Sequence, residues 1–359
     1  MKKILTVFGT RPEAIKLFPL ISKIKGDEDL ENKICVTGQH REMLDSVLSE
    51  FGIIPDYDLS VMKEAQTLSY LTETILSKIN AVLDEYTPDI MLVHGDTSTA
   101  FASALAAFYR SIKIAHVEAG LRSNNIRSPF PEEFNRRAIS LISDINFAPT
   151  PESADNLLRE GVNKGSVFVT GNTVIDSIKA SLETNIDFEL PKKPFILLTL
   201  HRREHSDTEI SDIFNAIRRI CLEFSELTVI YPVHKNPRFK RLSSNILGKI
   251  PNVILSEPIA VKKFHKLLNE CLFVVTDSGG IQEEASFLGK KVLVLRDTTE
   301  RPEGIDCGNL SLIGCEEEKI FNMMKDLLDK KEKLKGLAVC KNFGDGTASE
   351  RIVKILKNL

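Results

Sequence analysis

The apolar residues of this chain fall into short unbroken runs, each followed by a stretch of helical spacing. "KILTVF", "DIMLVHGD" and "SIKIAHVEAG" are such runs in the first half; "KPFILLTL", "LTVIYPVH", "CLFVVTDSGG" and "KKVLVLRD" follow in the second. A strand wetted on one face alternates apolar and polar residues. A run that is apolar throughout is covered on both faces, which calls for a parallel sheet with helices on either side. The intervening stretches supply those helices: after Pro12, Ile15, Phe18, Ile21 and Ile24 recur at helical spacing.

A chain of 359 residues suits two domains of roughly 150–200 residues each. The halves also echo one another. Each opens on a buried strand whose turn carries arginine and glutamate, "FGTRPE" and "LHRRE". Each later has a strand ending in an acidic residue, small residues and a helix, "VHGDTSTA" and "VTDSGGIQEEA". The expected fold is α/β, with two Rossmann-like domains facing across a cleft. We expect domains over 1–171 and 172–345, with a last helix, 346–359, packing back on the first. Thr347 and Glu350 have the spacing of a capping box for that helix.

Composition narrows the function classes. The formal charge is −3 with both signs spread along the chain, so no basic stripe offers itself to nucleic acid. No apolar run approaches the ~20 residues that cross a bilayer. "MKKILTVFGTRPE" breaks too early for a signal peptide. The six cysteines are scattered without a CxxC pair and read as reduced, packed thiols of a cytoplasmic protein.

In open parallel sheets, ligands bind beyond the carboxyl ends of the strands. That rule selects Arg11, Asp96, Glu118 and the pair Glu132/Glu133 in the first half. In the second it selects His201, Arg202, Arg203, His234, Ser278, Gly279, Gly280, Arg296 and Arg301. Lys16, on the helix after Arg11, reads equally as a cleft cation or as surface charge. In "TDSGGIQEEA" the glycines let backbone N–H groups approach an anion at a helix start, and Glu283 and Glu284 stand one turn in to take sugar hydroxyls. The same residues also make a plain strand–helix turn; nearby Arg296 and Arg301 favour phosphate. Neither a Walker A loop nor GxGxxG occurs, which disfavours a nicotinamide enzyme.

One strand-end carboxylate is more often a cap or an ion pair than a catalyst. Three in one half, the third in the proline-pinned "SPFPEEFNRR", favour acid–base chemistry. His201 and His205 have the i, i+4 spacing that grips zinc on a helix, but no cysteine or third ligand stands near them in sequence, so no metal is expected. His94, His116, His234 and His40 read as core or strand-end residues.

Taken in order, "VFGTRPEAIK", "HGDTSTA", "HVEAGLR", "SPFPEE", "TGNTVID", "HRRE", "YPVH", "TDSGGIQEEA" and "RDTTERPE" resemble the non-hydrolysing UDP-N-acetylglucosamine 2-epimerases of bacteria. The resemblance runs from residue 2 to about residue 310. It implies the glycosyltransferase B-type architecture and reversible conversion of UDP-GlcNAc to UDP-ManNAc for cell-surface polysaccharide precursors. The implied route eliminates UDP to a 2-acetamidoglucal and adds it back. It uses no nicotinamide cofactor and no obligatory metal. The partner is the UDP-sugar, in a cytoplasmic homodimer.

By the same resemblance, Asp96, Glu118, Glu132 and His201 are catalytic. Arg11, Lys16, Arg203, Phe264, Ser278, Gly279, Gly280, Glu284 and Arg301 bind substrate, with Phe264 near the uracil. Gln39, His40 and Gln66 match a second, activating UDP-GlcNAc site of some members. Ala65 stands there in place of a common arginine, "SNN" at Ser123–Asn125 replaces Thr-Gly-Asp, and Ile259 replaces a glutamine near uracil. Competing expectations are a glycosyltransferase of the same architecture, a hydrolysing epimerase and a non-catalytic nucleotide-sugar sensor.

Overall fold

The computed structural model describes residues 1–38, 41–63, 66–202, 205–334 and 337–359. The chain divides into two compact units, Met1–Ala180 with Phe343–Leu359, and Ser181–Asn342. The first unit is built on seven parallel strands: β1 (Lys2–Phe8), β2 (Leu30–Val36), β3 (Tyr57–Asp58), β4 (Ile90–His94), β5 (Lys113–Val117), β6 (Ile145–Ala148) and β7 (Val167–Val169). Their order across the sheet is β3-β2-β1-β4-β5-β6-β7. The order reverses between β1 and β4, which makes that gap the place where a crevice opens at the strand ends. Register puts Val7 level with Val93, and His94 level with Val117, so β1, β4 and β5 end in line.

The second unit has six strands: β8 (Phe195–Thr199), β9 (Thr228–Pro232), β10 (Val253–Ser256), β11 (Phe273–Thr276), β12 (Lys291–Val294) and β13 (Leu310–Leu312). They run β10-β9-β8-β11-β12-β13, again all parallel, with the reversal between β8 and β11. Each sheet has its own core. Leu5, Val7, Ile75, Ile79, Val93 and Ile139 are buried together in the first unit. Ile196, Leu198, Phe214, Tyr231, Phe239 and Phe273 are buried together in the second. Each such side chain contributes about 1.5–3 kcal/mol on burial.

The last helix, Ala348–Lys357, lies against the first, Arg11–Lys25. Lys2 Nζ donates to Leu356 O at 2.8 Å, and Lys23 pairs with Glu350 at 2.7 Å. The expected Thr347–Glu350 capping box is not formed. Thr347 Oγ1 donates instead to Asp345, and the N–H groups of Ala348 and Ser349 go to Asp176 at 3.2 and 2.7 Å. A carboxylate from the helix Thr173–Glu183 thus does the capping from outside, which leaves Glu350 for Lys23.

The cysteines also depart from expectation. Cys307 and Cys340 form a disulfide, closing a separation of 33 residues in the second unit. Cys35, Cys221 and Cys271 are buried free thiols and Cys315 is partly exposed. Among the described residues, no helix is long and apolar enough to cross a membrane.

Candidate active site

In the first unit the turn after β1 is held by a residue that the strand-end rule passes over. Glu13 Oε2 accepts the N–H groups of Gly9 and Thr10 at 3.0 and 2.8 Å, and the Thr10 hydroxyl at 2.8 Å. Its Oε1 accepts the Thr97 hydroxyl at 2.7 Å, which ties the turn after β1 to the turn after β4. The signal was present in the sequence as Thr10-x-x-Glu13, a capping box. Burial raises the pKa of Glu13 above the ordinary carboxylate value, against the hydrogen bonds from Gly9, Thr97 and Thr10. The helix begins at Arg11, so Pro12 occupies its second position, where a missing N–H still costs no intrahelical bond.

Lys16 projects from that helix onto Glu118, and the two form a buried ion pair. Glu118 Oε2 also accepts Asn172 Nδ2 at 2.8 Å and lies 4.0 Å from His94 Nε2. Glu118 has φ +63°, the left-handed region that a bulky residue enters only at a cost of about 1–2 kcal/mol. The strain turns its carboxylate across the end of β5. His94 is fully enclosed; burial pushes its pKa down to about 4 against the pull of Glu118, and the ring is neutral. His116 is likewise pushed down to about 4, with Nε2 donating to Gly95 O at 2.7 Å.

Asp96 faces Arg136, whose Nε donates to Asp96 Oδ2 at 3.1 Å. Asn135 Nδ2 donates to the Asp96 carbonyl at 2.9 Å. Both partners come from the helix Glu132–Ile142, which starts directly after the cis peptides Ser128–Pro129 and Phe130–Pro131. The paired glutamates at its start have different employment. Glu133 is fully buried and accepts from Ser123 N at 3.0 Å, Arg136 Nη1 at 3.2 Å and Arg137 Nε at 3.0 Å. It fastens the proline turn to the helix. Glu132, at the first helical position, is half-buried.

At the strand ends of the second unit stand arginines, each paired with a carboxylate. Ser278 caps the helix Gly279–Phe287 without using its side chain on the helix backbone. Arg301 lies over Gly279: a Cβ there would stand 2.6 Å from the guanidinium carbon. Arg301 Nε donates to Glu283 at 2.6 Å, and Arg296 Nη1 donates to Glu300 at 2.8 Å. Burial alone would raise the Glu300 carboxyl, but Arg301 and Arg296 hold it down to about 2. His265 Nε2 lies 3.7 Å from Glu284, and Phe264 is half-buried on the same helix as His265, Val261–Glu270.

The buried residue that sequence reasoning missed here is Asp277, at the end of β11. Its Oδ2 accepts the N–H groups of His201 and Arg202, both at 2.9 Å. Its Oδ1 lies 2.6 Å from His201 Nδ1, and its Oδ2 lies 3.4 Å from His205 Nε2. Burial alone would raise this carboxyl; the His201 and His205 rings and the Arg202 N–H together hold it far below the usual range. With Nδ1 on Asp277, His201 presents Nε2 outward from a half-exposed ring. The two histidines do not share a helix, since the helix Asp207–Glu223 begins after both. Gln39, His40 and Arg203 lie outside the described residues, and Gln66 Oε1 accepts from Lys63 N at 3.2 Å.

Known proteins match this chain along nearly its whole length. The model of the family described as UDP-N-acetylglucosamine 2-epimerase matches residues 22–357. The UDP-N-acetylglucosamine 2-epimerase of Bacillus subtilis is 48% identical, over 99% of this chain and 94% of its own length. A Staphylococcus aureus MnaA structure with UDP superposes with TM-score 0.93 at 46% identity, covering 100% of this chain and 96% of that one. The Neisseria meningitidis UDP-GlcNAc 2-epimerase bound to UDP-GlcNAc also gives 0.93, at 43% identity over 99% and 100%. The chain belongs to the UDP-N-acetylglucosamine 2-epimerase family.

Proposed function

We propose that the chain interconverts UDP-N-acetylglucosamine and UDP-N-acetylmannosamine by expelling UDP and adding it back. The C2 proton leaves to a base, the C1–O bond breaks with its electron pair going to the diphosphate, and a 2-acetamidoglucal remains. UDP then re-adds at C1 while a proton arrives on the opposite face of C2. Proton and leaving group are exchanged with no net oxidation, so the route needs neither nicotinamide nor a catalytic metal.

The observation that supports this reading most is the helix start at Ser278–Gly280 with Arg301 laid over Gly279 in the second unit, together with the strand-end carboxylates of the first. Arg301, Arg296 and the helix start at Ser278–Gly280 suit a diphosphate that gains charge as it leaves, usually the largest catalytic contribution. Asp96, Glu118 and Glu132 suit proton transfer at the sugar, and inversion at C2 needs more than one such group. His201, oriented by Asp277, is a further proton carrier. Arg11, Lys16, Phe264 and Glu284 complete the substrate contacts. We further read the protein as a cytoplasmic homodimer that serves cell-surface polysaccharide synthesis.

Incubation with UDP-GlcNAc in heavy water, followed by NMR, tests the reaction. Epimerisation gives UDP-ManNAc deuterated at C2; hydrolysis gives free ManNAc, and a transferase or a sensor gives neither. Glu132→Gln is expected to abolish epimerisation while UDP still binds. Normal turnover by that variant removes Glu132 from the mechanism.

A further inference from the structure

Beside His201, the fold assembles a second cluster. His205, Glu209 and Cys315 each offer one ligand atom, and the three atoms lie within 4.8 Å of one another. Cys315 is 110 residues from His205 in sequence, beyond the end of β13, yet its Sγ stands 3.7 Å from His205 Nδ1. No third ligand stands near His201 and His205 in sequence; the fold parts the two histidines and sets a thiol and a carboxylate beside His205.

We infer that His205, Glu209 and Cys315 form a binding site for one divalent ion of the zinc class, a staple that fastens the turn after β8 to the turn after β13. Three features support it. Zinc bonds of ~2.0 Å to nitrogen and ~2.3 Å to sulfur at a tetrahedral angle place the two atoms about 3.6 Å apart, close to the separation found. Glu209 commits one oxygen, Oε2, to Ser206 N and Oγ at 2.6 and 2.8 Å, which fixes the carboxylate and leaves the other oxygen for an ion. With Nδ1 toward the ion, His205 Nε2 faces Asp277 at 3.4 Å, the carboxylate–histidine arrangement that orients metal-bound imidazoles. The soft thiolate, the imidazole and a single carboxylate select zinc or cobalt over magnesium or calcium. The Arg202 charge is engaged elsewhere, with Nη2 3.6 Å from Glu300.

Cobalt(II) titration of chelator-treated full-length protein tests the site. One equivalent is expected to bind and to give a thiolate-to-cobalt charge-transfer absorption, which zinc then bleaches. Cys315→Ser is expected to lose that absorption and at least 100-fold in affinity, whereas Cys221→Ser keeps both. His205→Asn retains the thiol but loses the imidazole, and is expected to bind at least 10-fold more weakly; it carries the test should the serine variant fail to fold. Absence of stoichiometric cobalt binding overturns the proposal. So does an absorption that survives Cys315→Ser.

Discussion

The two units solve one local problem in two ways. In each, the strand at the sheet's reversal point ends in a turn whose successive N–H groups point at a buried carboxylate. In the first unit that carboxylate is Glu13, three residues downstream of Thr10 on the same turn and helix. In the second it is Asp277, reaching across from the neighbouring strand. Their pKa values move in opposite directions: Glu13 is raised, Asp277 lowered. Both are desolvated. Glu13 is met only by neutral donors, whereas Asp277 also faces two imidazoles. Similar backbone geometry therefore stores charge in the second unit and tolerates it in the first.

Removing each carboxylate's charge sharpens that contrast and gives the largest expected effect. Asp277→Asn removes the carboxylate that His201 Nδ1, His205 Nε2 and two backbone N–H groups face, and loss of one partner from a buried pair costs about 3–5 kcal/mol. It also frees the His201 ring, and turnover is expected to fall at least ~10²-fold. Glu13→Gln keeps an acceptor for the turn and sheds a charge that burial already disfavours, so about 1 kcal/mol or less is expected. Urea unfolding and initial rates measure both. Equal losses would show that the histidines contribute nothing to holding Asp277.

Acid should separate the units next. His94 and His116 are neutral when folded, with pKa values near 4, and protonate near the ordinary 6.5 when unfolded. The unfolded state binds more protons below 6.5, so the first unit loses stability as pH falls through 6.5, levelling off near 4. Between pH 7 and 5.5 the two together cost roughly 2 kcal/mol, and the raised pKa of Glu13 offsets part of this. Glu300 in the second unit has the carboxylate sign: its contribution is present above 4.5 and is lost only between 4.5 and about 2. Amide exchange, corrected for its intrinsic pH dependence, should weaken in β4 and β5 at pH 5.5 while β11 and β12 hold. Loss of protection in both sheets together breaks the distinction.

The contrast also explains what was legible in the sequence. Unbroken apolar runs announce the central strands, because burial on both faces is a local property. Asp96, Glu118 and Ser278 were found because they directly follow such runs. Asp277 directly follows one too, but its work is done on a turn some 75 residues upstream, and only the placement of β8 beside β11 brings them together. Cys315 beside His205, the Cys307–Cys340 bond and the Asp176 cap on the last helix are of the same kind. The sequence singles out Glu132 as the catalytic member of the Glu132/Glu133 pair and gives Glu133 no role of its own. The fold distinguishes them by enclosing Glu133 among Ser123, Arg136 and Arg137.

The smallest expected effect concerns the glycine turn, which has no counterpart in the first unit. Adjacent glycines there serve different ends. A Cβ on Gly279 meets the Arg301 guanidinium, which Glu283 pins in place, so Gly279→Ala must displace the arginine and is expected to lower both stability and UDP affinity. A Cβ on Gly280 meets only Glu284 Oε1 at 3.9 Å, an ordinary contact, and alanine is the better helix former. Gly280→Ala should therefore melt no lower than the parent. If the diphosphate lies against this helix start, the added methyl still intrudes on it, and UDP should bind roughly 10-fold more weakly, about 1.4 kcal/mol. Calorimetric titration with UDP decides: undiminished affinity in Gly280→Ala would leave the turn as strand–helix geometry alone and move the diphosphate site off it.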